Sequence, residues 1–171
     1  STCVLFGDGA GCVVVEPREG QGTKADQGLL GFALRCDGTK TDLLYVDGGP
    51  ATTGTVGHLR MAGNQVFRHA VVNIAEAITA ACAASNIEVA DVDWFVPHQA
   101  NQRILDGTAR RLGVPAHKLI STIAQHGNTS AASVPLAFAT AVADGRIQRG
   151  QLLMLEAMGG GFTWGSALLR Y

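Results

Sequence analysis

From residue 62 to 84 the apolar residues Val66, Ala70, Ile74, Ala77, Ile78 and Ala81 recur at three- and four-residue steps, the spacing of an amphipathic helix of about six turns. Half of that stripe is alanine, which favours close packing against whatever the helix covers. The segments that follow alternate in type. Residues 93–96 read as a buried strand, 100–112 as a helix closed by Gly113 and Pro115, and 118–121 as the next strand. A helix over 130–143 precedes two strands, 151–156 and 163–170, separated by Gly159-Gly160-Gly161. Such an order predicts an α/β unit with a terminal ββ pair. Upstream, 3–6 and 12–15 read as short buried strands around the glycine turn 7–11, and 29–35 as a third. Residues 37–60 read as a loop, long enough to be functional.

With 171 residues, 47% of them hydrophobic and 16% charged, the chain can bury a sizeable core. A net charge of −1 excludes general nucleic-acid binding, which needs an excess of Lys and Arg. No apolar run is read as a membrane span, and the start Ser-Thr-Cys-Val-Leu-Phe has no basic region of a signal peptide, so a cytoplasmic location is expected. Cys3, Cys12, Cys36 and Cys82 show no CxxC spacing, which predicts reduced thiols and no zinc site.

Two short stretches carry the chemistry. Val96-Pro97-His98-Gln99-Ala100-Asn101 places His98 just past a strand end, where open α/β sheets bind ligands. His126-Gly127-Asn128-Thr129-Ser130 places Asn128 in a similar turn. Neutral histidine and asparagine can each donate to one carbonyl oxygen, as the formation of a thioester enolate requires. Structural readings stand beside these: a packed loop histidine for His98, a turn residue or N-cap for Asn128. His126 invites a metal reading, but no third ligand is spaced for one. The triple glycine could turn backbone N–H groups toward an oxyanion, or simply close a hairpin. The 7–11 glycines lack the full spacing of a phosphate loop and read as a turn. Arg103, Arg110 and Arg111 share one side of their helix beside this region, either as a docking face or as a solvated one.

Five motifs, FGDGAG (6–11), MAGNQVF (61–67), VPHQAN (96–101), HGNTSAASVP (126–135) and EAMGGGFTWGSALLRY (156–171), make the chain resemble the β-ketoacyl-acyl-carrier-protein synthase III family of the thiolase superfamily. The resemblance covers the carboxyl-terminal part of such a subunit. It implies a thiolase-like α/β fold: one mixed five-stranded sheet with helices on both faces, plus strands completing the sheet of the first half-domain. Residues 1–36 would end the first half and begin the second, and 37–171 would form the second. Homodimers are usual in the family.

The resemblance further implies a reaction and its residues. A cysteine thiolate, upstream of this chain in the family and matched by none of its four cysteines, takes a short acyl group from acyl-CoA. Malonyl-acyl-carrier protein then loses carbon dioxide, and the enolate attacks the acyl-enzyme. His98 and Asn128 match the side chains that hold the malonyl thioester oxygen, and Gly160 matches the backbone donor to the acyl-cysteine oxygen. Met61, Gly63, Asn64, Phe67, Asn101 and Arg103 match positions lining the CoA and pantetheine tunnel. Arg68, Arg103, Arg110 and Arg111 match basic positions that receive acyl carrier protein. Met158 stands where an aromatic is common. No cofactor is implied, acyl-CoA being a substrate. Two other readings remain: a non-catalytic thiolase-like binding or assembly piece, and a relative that makes secondary metabolites.

Overall fold

The structure, a computed structural model, describes residues 4–171. Strand β1 (Gly28–Cys36) is followed by a 3₁₀ turn (Gly38–Leu43), strands β2 (Leu44–Val46) and β3 (Leu59–Met61), and helix α1 (Gly63–Ala84). Then come β4 (Trp94–Pro97), α2 (Gln102–Leu112), α3 (Ile123–His126), α4 (Ser133–Ala143), β5 (Leu152–Gly159) and β6 (Thr163–Arg170). The main sheet is mixed, in the order β1-β6-β5-β4, with β4 and β5 parallel and the other pairs antiparallel.

Helices cover both faces because β5 is apolar on both. Its alternating side chains send Leu152 and Met154 toward α1, together with Ala70, Ile74, Ala77, Ile78 and Ala81. Leu153 goes the other way, into a second core with Val96, Ile120, Ala137, Ala141 and Ile147. Helix α1 is long and apolar enough to cross a membrane by length and composition, contrary to the reading that no run qualifies, but 44% of its apolar window is buried within this unit. It serves as the core helix of the larger cluster.

Helix α2 begins at Gln102 because Asn101 caps it, its Oδ1 accepting from Arg103 N at 2.8 Å, and it ends at Gly113 with φ 68°. The helix expected over 130–143 is divided. Ser130 has φ 53°, a 3₁₀ turn follows, and α4 starts at Ser133 with Pro135 in its first turn, where a missing N–H costs nothing.

Four expectations fail. The fifth strand, 118–121, is reduced to one parallel bridge between Leu119 and Phe95. Ile120 N still bonds Phe95 O at 2.9 Å, but Thr122 N is taken by the side chain of Gln99, so no ladder continues. Residues 12–15 form no strand: Val13, Val14 and Val15 are 69%, 95% and 86% exposed, with no sheet beside them. The strands meant to complete the first half-domain's sheet are therefore missing among the described residues, where Phe6 makes a single bridge to Asn128 and Cys3 lies outside. The 7–11 glycines form no strand-to-strand turn; a Cβ on Gly7 would meet His126 O at 2.8 Å, whereas Gly9 and Gly11 pack against the side chains of Thr129, Leu136 and Pro135. Residues 37–60, read as loop, contain the β2/β3 hairpin, held by the register Leu44 to Met61 and by an ion pair between Asp47 and Arg60.

Candidate active site

The loop after β4 is anchored from behind. His98 N donates to Glu156 O at 2.8 Å, extending the β4–β5 pairing by one residue. Gln99 is fully buried; its Nε2 donates to Pro97 O (2.8 Å) and Ile120 O (3.2 Å), and its Oε1 accepts from Thr122 N (2.7 Å). An amide so fully engaged fixes the backbone on either side. The His98 ring is thereby set at the wall of a cavity, with Nδ1 2.6 Å from Ser133 Oγ. Burial holds its pKa below the ordinary histidine value, so the imidazole is neutral near pH 7.

Asn128 is fixed as firmly. Gly7 N donates to Asn128 O at 2.9 Å and Asn128 N donates to Leu5 O at 3.2 Å. Its side-chain Oδ1 accepts from Ser130 N at 2.9 Å. With the acceptor end of the amide occupied, the two N–H hydrogens are the polar groups left for the cavity that Asn128 lines.

Gly160 lies in the turn between β5 and β6, packed so closely on β2 that an added Cβ would meet Leu44 O at 2.7 Å. A glycine is required there by space.

His98, Asn128 and Gly160 line one cavity of about 680 Å³, and Met61, Gly63, Asn64, Phe67, Asn101 and Arg103 line it too. The Arg103 guanidinium stands over the Phe67 ring, 5.5 Å from its centroid. Arg68, Arg110 and Arg111 are exposed and outside the lining; the last two occupy the final turn of α2. The sequence reading missed Leu44, Tyr45, Val46 and Leu59, which the hairpin contributes. Their only signal was the apolar triplet Leu44-Tyr45-Val46 and the lone Leu59 inside a loop-like stretch. It also missed Ser133, whose contact with His98 no local pattern announces. Among the described cysteines, Cys12 and Cys36 are exposed, Cys82 is buried with its thiol pushed up to about 11, and none lines the cavity.

A mixed sheet sandwiched by helices, with a histidine and an asparagine converging on a cavity beside a glycine turn, defines a thiolase-like α/β protein. The family described as 3-oxoacyl-[acyl-carrier-protein (ACP)] synthase III C terminal matches residues 82–171, and that described as 3-oxoacyl-[acyl-carrier-protein (ACP)] synthase III matches 1–38. The chain belongs to the 3-oxoacyl-[acyl-carrier-protein] synthase III family.

The beta-ketoacyl-[acyl-carrier-protein] synthase III of Caulobacter vibrioides is 70% identical over 169 residues, covering 99% of this chain and 52% of that protein. The crystal structure of 3-oxoacyl-[acyl-carrier-protein] synthase III from Aquifex aeolicus superposes with a TM-score of 0.88 at 38% identity, over 99% of this chain and 51% of that one. The priming beta-ketosynthase of the R1128 polyketide biosynthetic pathway superposes at 0.75 with 34% identity, over 83% and 45%. The chain spans about half the length of the curated relatives it matches.

Proposed function

We propose that this chain supplies the histidine–asparagine half of a β-ketoacyl-acyl-carrier-protein synthase III, which condenses a short acyl-CoA with malonyl-acyl-carrier protein. The observation that carries the reading is the convergence of His98 and Asn128 on one cavity, each held from behind by other groups. In the decarboxylation, the bond to the carboxylate breaks and its electron pair moves through the α-carbon to the thioester oxygen. An N–H of His98 and one of Asn128 meet that oxygen as it becomes negative, and a preorganised donor of this kind is worth about 3 kcal/mol. The enolate carbon then attacks the acyl-cysteine carbonyl, whose oxygen is received by Gly160 N–H as the thiolate leaves.

The nucleophilic thiolate is assigned to the amino-terminal half of the complete subunit, as the family resemblance implies, because none of the described cysteines is placed to supply it. Cys82 is too deeply buried and too weakly acidic to attack, and neither Cys12 nor Cys36 reaches the cavity. Apolar surface supports the same view: Leu29, Phe32 and Leu34 on β1 are 63%, 58% and 66% exposed, a face that further polypeptide would cover. The 70% identity to the Caulobacter protein favours this reading over that of a polyketide-priming relative or a non-catalytic piece. Arg68, Arg110 and Arg111 form the basic rim for the acidic carrier protein, and Arg103 serves both rim and tunnel.

The test joins this chain to the amino-terminal half that its curated relatives carry. The joined subunit forms acetoacetyl-carrier protein from acetyl-CoA and malonyl-carrier protein, whereas the chain alone forms none. A joined subunit that folds but does not condense refutes the proposed activity; turnover by the chain alone refutes the assignment of the nucleophile.

A further inference from the structure

Ser133 opens α4 and is 1% exposed, outside the lining of the cavity. Its Oγ accepts the Gln99 backbone N–H at 3.1 Å and lies 2.6 Å from His98 Nδ1. A peptide N–H can only donate, so it occupies a lone pair of the hydroxyl oxygen and leaves the hydroxyl hydrogen to be placed. At such burial that hydrogen needs an acceptor. Among the described residues the one hydrogen-bond partner left for the hydroxyl is Nδ1. Were Nδ1 protonated, two N–H groups would converge on one oxygen and the O–H would be stranded, at the cost of desolvating it.

We infer that Ser133 is a positioning residue: its hydroxyl donates to His98 Nδ1 and so holds the ring in the tautomer whose proton sits on Nε2, the nitrogen available to the cavity. The start of α4 acts on the charge of the ring, because the positive end of a helix disfavours a second proton on a nearby imidazole and so keeps it neutral. The two cavity donors then share one design. Ser130 N–H occupies the acceptor oxygen of Asn128, and the Ser133 hydroxyl occupies the acceptor nitrogen of His98, so that each side chain turns hydrogens to the substrate. The sequence HGNTSAAS thus serves both residues, one through its backbone at the first serine and one through the side chain of the second. The inference rests on the proposed role of His98 as a donor to the thioester oxygen.

The experiment uses the joined subunit labelled with ¹⁵N-histidine, the His98 signals being assigned by their loss in His98→Gln. In the unsubstituted protein, Nδ1 should resonate as an unprotonated ring nitrogen and Nε2 as a protonated one. Ser133→Ala should give a mixture of tautomers and slow malonyl decarboxylation about tenfold with little change in KM, while Ser133→Thr, which keeps the hydroxyl, should retain the Nε2–H form. A merely structural role would lower Tm and leave the tautomer ratio alone. A protonated Nδ1 in the unsubstituted protein overturns the inference even should every variant misfold, and an unchanged tautomer in Ser133→Ala overturns it as well. Undiminished decarboxylation by His98→Ala would instead refute the donor role of His98, leaving the spectra to decide the Ser133 bond.

Discussion

Glu156 and Thr108 line the same small cavity between β5 and α2, and each has a buried side-chain oxygen without a hydrogen-bond partner among the described residues. Around them stand Ile78, Phe95, Leu105 and Leu112. A carboxylate there would be unpaired in apolar surroundings, so burial pushes the Glu156 acid up to about 8.

The consequence for stability has a definite sign. Once unfolded, the chain releases this proton near the ordinary value of 4.5, whereas the folded protein keeps it until about 8. Between those values the folded state binds more protons, so the group costs stability increasingly as pH rises and contributes no further change above about 8. Glu156→Gln removes the ionisation while keeping the shape. Its melting temperature should gain on that of the unsubstituted protein as pH is raised from 5 to 8, and a constant difference across that range would contradict the buried acid.

Arg103 and Arg110 should part company in kinetics. Both are exposed on α2, but Arg103 also stands over Phe67 at the cavity wall, whereas Arg110 lies in the last turn, outside the lining. Arg110→Glu should raise KM for malonyl-carrier protein severalfold, weaken the dependence of that KM on salt, and leave reaction with malonyl-CoA nearly intact. Reversing charge at a helix C-terminus also costs about 0.3–1 kcal/mol, so a small fall in Tm accompanies it. Arg103→Ala should harm both substrates. An equal defect of Arg110→Glu with malonyl-CoA would exclude its docking role.

Gly160→Ala tests the turn between β5 and β6. The added methyl would press on Leu44 O, a backbone atom that cannot step aside without moving β2, itself part of the cavity wall. Acyl transfer from acetyl-CoA should fall about a hundredfold, the loss expected when one oxyanion donor is displaced. Unaltered acyl-enzyme formation in a folded Gly160→Ala protein would remove Gly160 from the donor role.

What the sequence disclosed followed physical range. Helix α1 was legible because Val66, Ala70, Ile74, Ala77 and Ile78 repeat at helical spacing over many turns, and β5 and β6 because apolar runs flank the glycines at 159–161. The runs at 12–15 and 118–121 have strand-like composition, yet a strand is a pairing and composition cannot supply the neighbour. Strands β2 and β3 are three residues each, too short for a period to register. His98 and Asn128 stood out by motif and share one cavity, whereas the Ser133–His98 bond joins residues 35 positions apart and belongs to tertiary structure alone.

The half-reactions of His98→Ala and Asn128→Ala test the central claim most directly, because the enolate forms only after the acyl group has moved to the cysteine. In the joined subunit, transfer of acetyl from CoA to the enzyme should proceed within about threefold of the unsubstituted rate, while decarboxylation of malonyl-carrier protein should fall at least about a hundredfold in each variant. Equal losses in the two half-reactions, or decarboxylation that survives either substitution, would contradict the assignment of His98 and Asn128 as the donors to the enolate oxygen.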